Sequence, residues 1–180
     1  MRHFFTSDYH LNHLNIIKYC NRPFKSLEEM NETIIHNHNM RVKPEDIVYF
    51  LGDFCFKNSI GGKVGEGLPM KAEELFKKLN GHFVFIKGNH DRNNSLKTIT
   101  ERAIIKYGGI RVNLVHNPEF VDVNCNLNFV GHVHQHWKFS RIKKSFQFTD
   151  AANVGVDVWK FQPVSFEEIF REYQRWKKTL

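Results

Sequence analysis

Short apolar runs recur along this chain, separated by stretches in which apolar residues return every three or four positions. RHFFTS (2–7), DIVYFL (46–51) and HFVFI (82–86) predict three strands, the last a buried one. LNIIKYC (14–20) predicts a short helix between the first two. Ser26 and Glu29 make a capping-box pattern ahead of Leu27, Met30, Ile34 and Ile35, which recur at helical spacing. Pro69 stands where a helix can begin, ahead of Ala72, Leu75, Phe76 and Leu79 on one face. LKTITERAIIKY (96–107) predicts another helix. Strands then dominate: IRVNLVH (110–116), LNFVG (127–131), SFQFTD (145–150) and AANVGV (151–156). Ser165 and Glu168 cap an amphipathic last helix that turns Phe166, Ile169, Phe170 and Tyr173 inward. An order of βαβαβα followed mostly by β predicts an α/β layered sandwich. With no repeat, linker or low-complexity tract, the 180 residues predict a single domain, 1–180. The glycine-rich stretch KNSIGGKVGEGLP (57–69) is not a phosphate loop, because Val64 follows Gly62-Lys63 where a Ser or Thr would hold magnesium. It is expected to be a mobile surface loop.

Composition adds limits more than direction. Hydrophobic content of 41% with 25% charged residues suits a soluble globular protein. The apolar runs are too short to span a bilayer, and the N-terminus lacks the h-region of an export signal. Cys20, Cys55 and Cys125 are odd in number and far apart, which argues against a disulfide framework and for the cytoplasm. The net charge of +7 fits an anionic substrate and a merely solvated basic surface equally well. Lys138, Arg141, Lys143 and Lys144 crowd one segment, where a solvated hairpin is favoured over an electropositive lip for nucleic acid.

The polar residues at strand ends change the picture. The first strand ends in Asp8 and His10, and the second in Asp53. The third ends in Asn89, His90 and Asp91, the fourth in His116, and the fifth in His132 and His134. Each alone has an ordinary explanation as a cap, a turn or a hydrogen-bonded core histidine. Delivered in this order after apolar runs, they mark a common rim, where open α/β sheets bind ligands. Oxygen and nitrogen donors without a thiolate pair suit manganese, iron or zinc, not a Cys-rich structural zinc site. There are too many of them for one tetrahedral ion. Two ions sharing a carboxylate, about 3.5–4 Å apart, would use them all.

Asp8-x-His10, Gly52-Asp53, Gly88-Asn89-His90-Asp91, His116 and Gly131-His132-x-His134 together resemble the motif set of the calcineurin-like metallophosphoesterases, over residues 8–134. The resemblance implies a four-layer αββα sandwich of two mixed β-sheets flanked by helices. It also implies a dinuclear centre: one ion on Asp8, His10, Asp53 and His134, the other on Asp53, Asn89, His116 and His132, with Asp53 bridging. Manganese is the first expectation, with iron, zinc, nickel, cobalt and magnesium as alternatives. His90 is then free to face the substrate, as the acid for the leaving group or a hydrogen bond to phosphate, with Asp91 orienting or charge-stabilising it. Arg92 and His13 are candidate substrate contacts, though a surface role for His13 competes. Phe56 stands where purple acid phosphatases carry a tyrosine, and Phe56-Lys57-Asn58 replaces the Asp-Arg-Gly of the Ser/Thr protein phosphatases. Both subfamilies are disfavoured, which leaves the small bacterial and phage type. The expected activity is metal-dependent phosphodiester hydrolysis. Phosphomonoester or nucleotide hydrolysis is the alternative, and a nuclease or a silent binding scaffold ranks lower. A small phosphoester or nucleotide is the expected partner, with no membrane and nucleic acid not favoured.

Overall fold

The computed structural model describes residues 1–56, 71–91 and 100–180. Strands β1 (His3–Thr6), β2 (Ile47–Leu51) and β3 (His82–Ile86) run parallel. They alternate with α1 (Leu14–Tyr19), α2 (Leu27–Arg41) and α3 (Ala72–Phe76). A further strand, β4 (Arg102–Tyr107), pairs antiparallel with β5 (Ile110–Val115). After β6 (Leu127–Val130), β7 (Phe139–Lys144) and β8 (Gln147–Asn153) form a hairpin. The two-residue strand β9 (Val164–Ser165) leads directly into α4 (Phe166–Lys177). Among the described residues these make two mixed sheets, ordered β3-β2-β1-β9 and β4-β5-β6-β8-β7. Two mixed sheets flanked by helices were the expectation, and they are what forms. Among the described residues no helix is long and apolar enough to cross a membrane.

Alternation along the strands explains the layers. Phe50 and Phe54 face outward from the first sheet into a cluster with Met30, Ile34 and Leu75 from the covering helices. Phe5, Leu51 and Ile86 face the other way and meet Val112, Leu114 and Phe129 of the second sheet. Phe5 and Phe129 touch edge to face at 4.8 Å. Each such side chain, fully buried, contributes about 1.5–3 kcal/mol. α4 packs into this same inner layer, with Phe166 against Tyr107 and Phe129. Its Ser165–Glu168 capping box is complete in both directions. At α2 the Ser26 hydroxyl accepts from Glu29 N, but the Glu29 carboxylate accepts from Lys25 N, one residue before the cap.

Three expectations need correction. Residues 102–107 are a strand and not the end of a helix, because Ala103, Ile105 and Tyr107 turn inward while Arg102, Ile104 and Lys106 turn out. Gly108 and Gly109, at φ +55° and +81°, close the hairpin to Ile110. The runs 145–150 and 151–156 meet in one strand, β8 (Gln147–Asn153), preceded by β7. HFVFI is buried only at Phe85 and Ile86, because β3 is an edge strand. Pro69, the glycine-rich stretch 57–69 and residues 96–99 lie outside the described residues.

Candidate metal centre

β1, β2, β3, β5, β6 and β8 present their C-terminal ends to one rim. The two sheets are joined there by a parallel bridge between Ser7 and Gly155. Of the seven residues expected as ligands, Asp8, His10, Asp53, His132 and His134 have φ between +46° and +72°. This left-handed region costs a side chain about 1–2 kcal/mol. Local hydrogen bonds hold the turns in it. Asp8 N donates to Gly52 O, His10 N to Asp53 O and Gly131 N to His116 O, at 2.9–3.0 Å. Gly52 sits at φ +89°, and a Cβ there would lie 2.6 Å from both Gly88 Cα and His116 Nδ1. A Cβ on Gly88 would overlap the Asp53 carboxylate. The ligand turns are therefore packed directly on one another.

The structure brings all seven together. Asp53 Oδ2 lies 3.4 Å from both His10 Nε2 and His116 Nε2. His116 Nε2 and His132 Nδ1 approach Asn89 Oδ1 at 2.9 and 3.0 Å. Ligand atoms of Asp8, His10 and His134 fall within 4.8 Å of one another, as do those of Asp53, His116 and His132. His10 Nε2 is buried without a hydrogen-bond partner. An orphaned buried imidazole nitrogen facing a shared carboxylate oxygen fits a divalent cation, and so does the whole O/N donor set.

Charge and burial compete here. Burial would raise the Asp53 carboxyl, but the imidazoles of His10 and His116 beside it outweigh this and hold it well below the usual range. Burial pushes His10 down to about 4. Burial acts the same way on His116, yet Asp53 and Asp8 overcome it and raise that imidazole to about 9. His134 reaches about 10 against burial, chiefly through Asp157.

The other expected site residues divide. His90 is exposed over a cleft of about 510 Å³, its ring 5.0 Å from that of His10, and its backbone N–H donates to Asp53 Oδ1 at 2.9 Å. Asp91, expected to orient His90, places both carboxylate oxygens on backbone amides. It accepts from Asp53 N, Phe54 N and Gly88 N, at 2.8–3.1 Å, and so ties the β2 and β3 turns together. His13 is only 5% exposed, stacks on Phe56 and sets its Nδ1 3.2 Å from His10 Nδ1. It backs His10 as well as lining the cleft. Arg92 lies outside the described residues. Cys55 is buried and its thiol is pushed up to about 12, as suits a small hydrophobe.

Sequence reading missed a buried ion pair behind the centre. Arg22 donates to both oxygens of Asp157 at 2.8 and 3.0 Å, and to the carbonyls of Asp8 and Tyr9. His134 Nδ1 donates to Asp157 Oδ2 at 2.9 Å, which leaves its Nε2 for the centre. Asp157 lies four residues beyond the end of β8, inside the 3-10 turn Val156–Val158, and no donor motif marks it. Ser7 adds a 2.6 Å bond from its hydroxyl to Asp8 Oδ2.

Comparison with known proteins agrees with this arrangement. Residues 1–178 match the family model of the calcineurin-like phosphoesterases. An uncharacterized protein of Methanocaldococcus jannaschii is 40% identical over 95% of this chain and 90% of its own. The crystal structure of a protein of unknown function from Aquifex aeolicus is 26% identical, with a TM-score of 0.69 over 94% of this chain and 98% of that one. A solved archaeal phosphodiesterase overlaps more loosely, at 14% identity and a TM-score of 0.43 over 86% and 84% of the two chains. With its strand-end donors gathered on one rim and the family model matched over nearly its full length, the chain belongs to the calcineurin-like phosphoesterases and is a metal-dependent phosphoester hydrolase.

Proposed function

We propose that the protein is a cytoplasmic phosphodiesterase working through two divalent ions, manganese first among them. One ion would be held by Asp8, His10, Asp53 and His134, the other by Asp53, Asn89, His116 and His132. The observation that carries this reading is the placement of a single Asp53 oxygen 3.4 Å from imidazoles of both sets. When bound, the ions supply Lewis-acid charge stabilisation and acidify water. The chain's own part is orientation and proton delivery. Nδ1 of His116 donates to Leu51 O at 2.7 Å, so its Nε2 is the inward atom, as it is for His134. His90 stands at the open side of the cleft, where an imidazolium can hand a proton to the leaving oxygen. Among the described residues lining the cleft there is no lysine or arginine. That favours a singly charged diester over a monoester dianion.

Asp53→Asn tests the bridge. It is expected to abolish metal-dependent turnover of bis(p-nitrophenyl) phosphate and to lower bound metal, and near-normal turnover would refute two-ion chemistry. A second reading of His90 comes from its ring, which can offer a nitrogen within 4.8 Å of ligand atoms of His10 and Asp53. As an acid, His90→Ala keeps the metal while kcat falls roughly 10²–10⁴-fold, less for good leaving groups. As a ligand, His90→Ala loses metal.

A further inference from the structure

A second cavity, of about 710 Å³, lies beside the centre and is larger than the cleft above it. Asn89 and His132 line both, so the cavity and the cleft adjoin at these two residues of the centre. The cavity is large enough for a nucleoside. Val115 and Val121, both buried, give it an apolar wall, and Val123 extends that wall. Phe120 closes the 3-10 turn Pro118–Phe120, four residues beyond His116, and remains 60% exposed within the lining.

The cations of this cavity are already engaged. Arg102 Nε donates to Asn113 Oδ1 at 2.7 Å, and its guanidinium pairs with Asp122. Lys144 Nζ donates to the carbonyls of Glu119 and Val121, at 3.1 and 2.9 Å. Lys87 Nζ lies 3.4 Å from Glu101. A second phosphate entering here would have to break these pairs. An uncharged aromatic group would leave them intact and gain an exposed ring to stack on. The turn itself is well anchored. Lys144 ties down its carbonyls, and beneath the segment Asn113 donates to Asn128 Oδ1 and Asn128 to Thr149 Oγ1, a polar ladder across β5, β6 and β8.

We infer that this cavity receives an uncharged aromatic ester substituent of the substrate, a nucleoside whose base stacks on Phe120. The inference rests on the phosphodiesterase reading for the phosphate's place at the centre. It is tested by calorimetric binding of adenosine 5′-monophosphate and of methyl phosphate to the manganese-loaded protein. The two carry the same phosphate group and differ only in the substituent. The nucleotide is expected to bind at least tenfold tighter. Phe120→Ala is expected to remove about tenfold of its affinity and leave methyl phosphate unchanged, while Phe120→Tyr restores the advantage. Equal affinities, an advantage that survives Phe120→Ala, or no binding of either ligand would each overturn the inference. Turnover of bis(p-nitrophenyl) phosphate in the same samples reports separately on the activity.

Discussion

Three imidazoles of the centre have their Nδ1 accounted for: His116 on Leu51 O, His134 on Asp157, and His10 facing His13. Among these anchors Asp157 also carries the bidentate bonds of buried Arg22. Asp157→Asn keeps an acceptor for His134 but loses the charge and one of the paired oxygens. Metal affinity should fall roughly 10–100-fold, as for other supports of ligating histidines. The melting temperature should drop as well, because Arg22 is left buried with half a partner. Metal titration and a thermal melt on the same variant check both, and wild-type metal binding would show that His134 needs no such anchor. The gathering of the seven expected ligands on one rim was legible because each follows an apolar run. Asp157 and Arg22 were not, because an ion pair 135 residues apart leaves no local pattern. His13 and Asp91 were visible as residues, but their partners, an imidazole and three backbone amides, exist only once the turns are folded.

Between elements, Asp150 is the point where β8, β7 and α4 are locked together. Its carboxylate accepts from Arg141 Nε at 2.9 Å, Tyr173 Oη at 2.8 Å and Lys177 Nζ at 2.9 Å. Burial alone would raise this carboxyl, but the three donors outweigh it and hold it at about 2. A depressed carboxylate stabilises the fold above its unfolded value, near 3.8, and the stabilisation fades as pH falls toward about 2. Asp150→Asn should therefore lower the melting temperature at neutral pH, with the difference from wild type shrinking between pH 4 and about 2. A gap that is constant with pH would show that shape and not charge matters there. The same region shows where element reading failed. TITERAIIKY offered helical spacing, yet the Gly108-Gly109 turn and pairing with β5 decide in favour of β4. Of the basic residues on and beside β7, Arg141 is engaged with Asp150 and Lys144 with backbone carbonyls, while Lys138 pairs with Glu172 at 2.5 Å and lies over Trp159. A solvated hairpin and an electropositive lip were the two readings of that segment, and β7 and β8 do form a hairpin.

Across the molecule, the first sheet supplies Asp8, His10, Asp53 and Asn89, and the second supplies His116, His132 and His134. Bound metal would thus cross-link the two sheets and should stabilise the whole chain. At a hundred times Kd the gain is about 2.7 kcal/mol, or roughly 5–10 °C for a chain of this size. Calorimetric melts with manganese and with a chelator measure it, and coincident melts would show that the rim does not join the sheets through metal. The architecture was readable because strand order and donor order coincide, whereas β7 and β9, edge strands of different sheets, had no donors to mark them. The packing of the ligand turns also sets their behaviour in time. Their amides are bonded within and between the turns: Asp8 to Gly52, His10 to Asp53, Leu11 to Phe54, Asp53 and Gly88 to Asp91, and His132 to Asp8. None of these donor residues belongs to the nine strands or four α-helices of the described residues, yet each is bonded to a neighbouring turn or within its own. Deuterium should enter them late, together, and at the pace of the central strands.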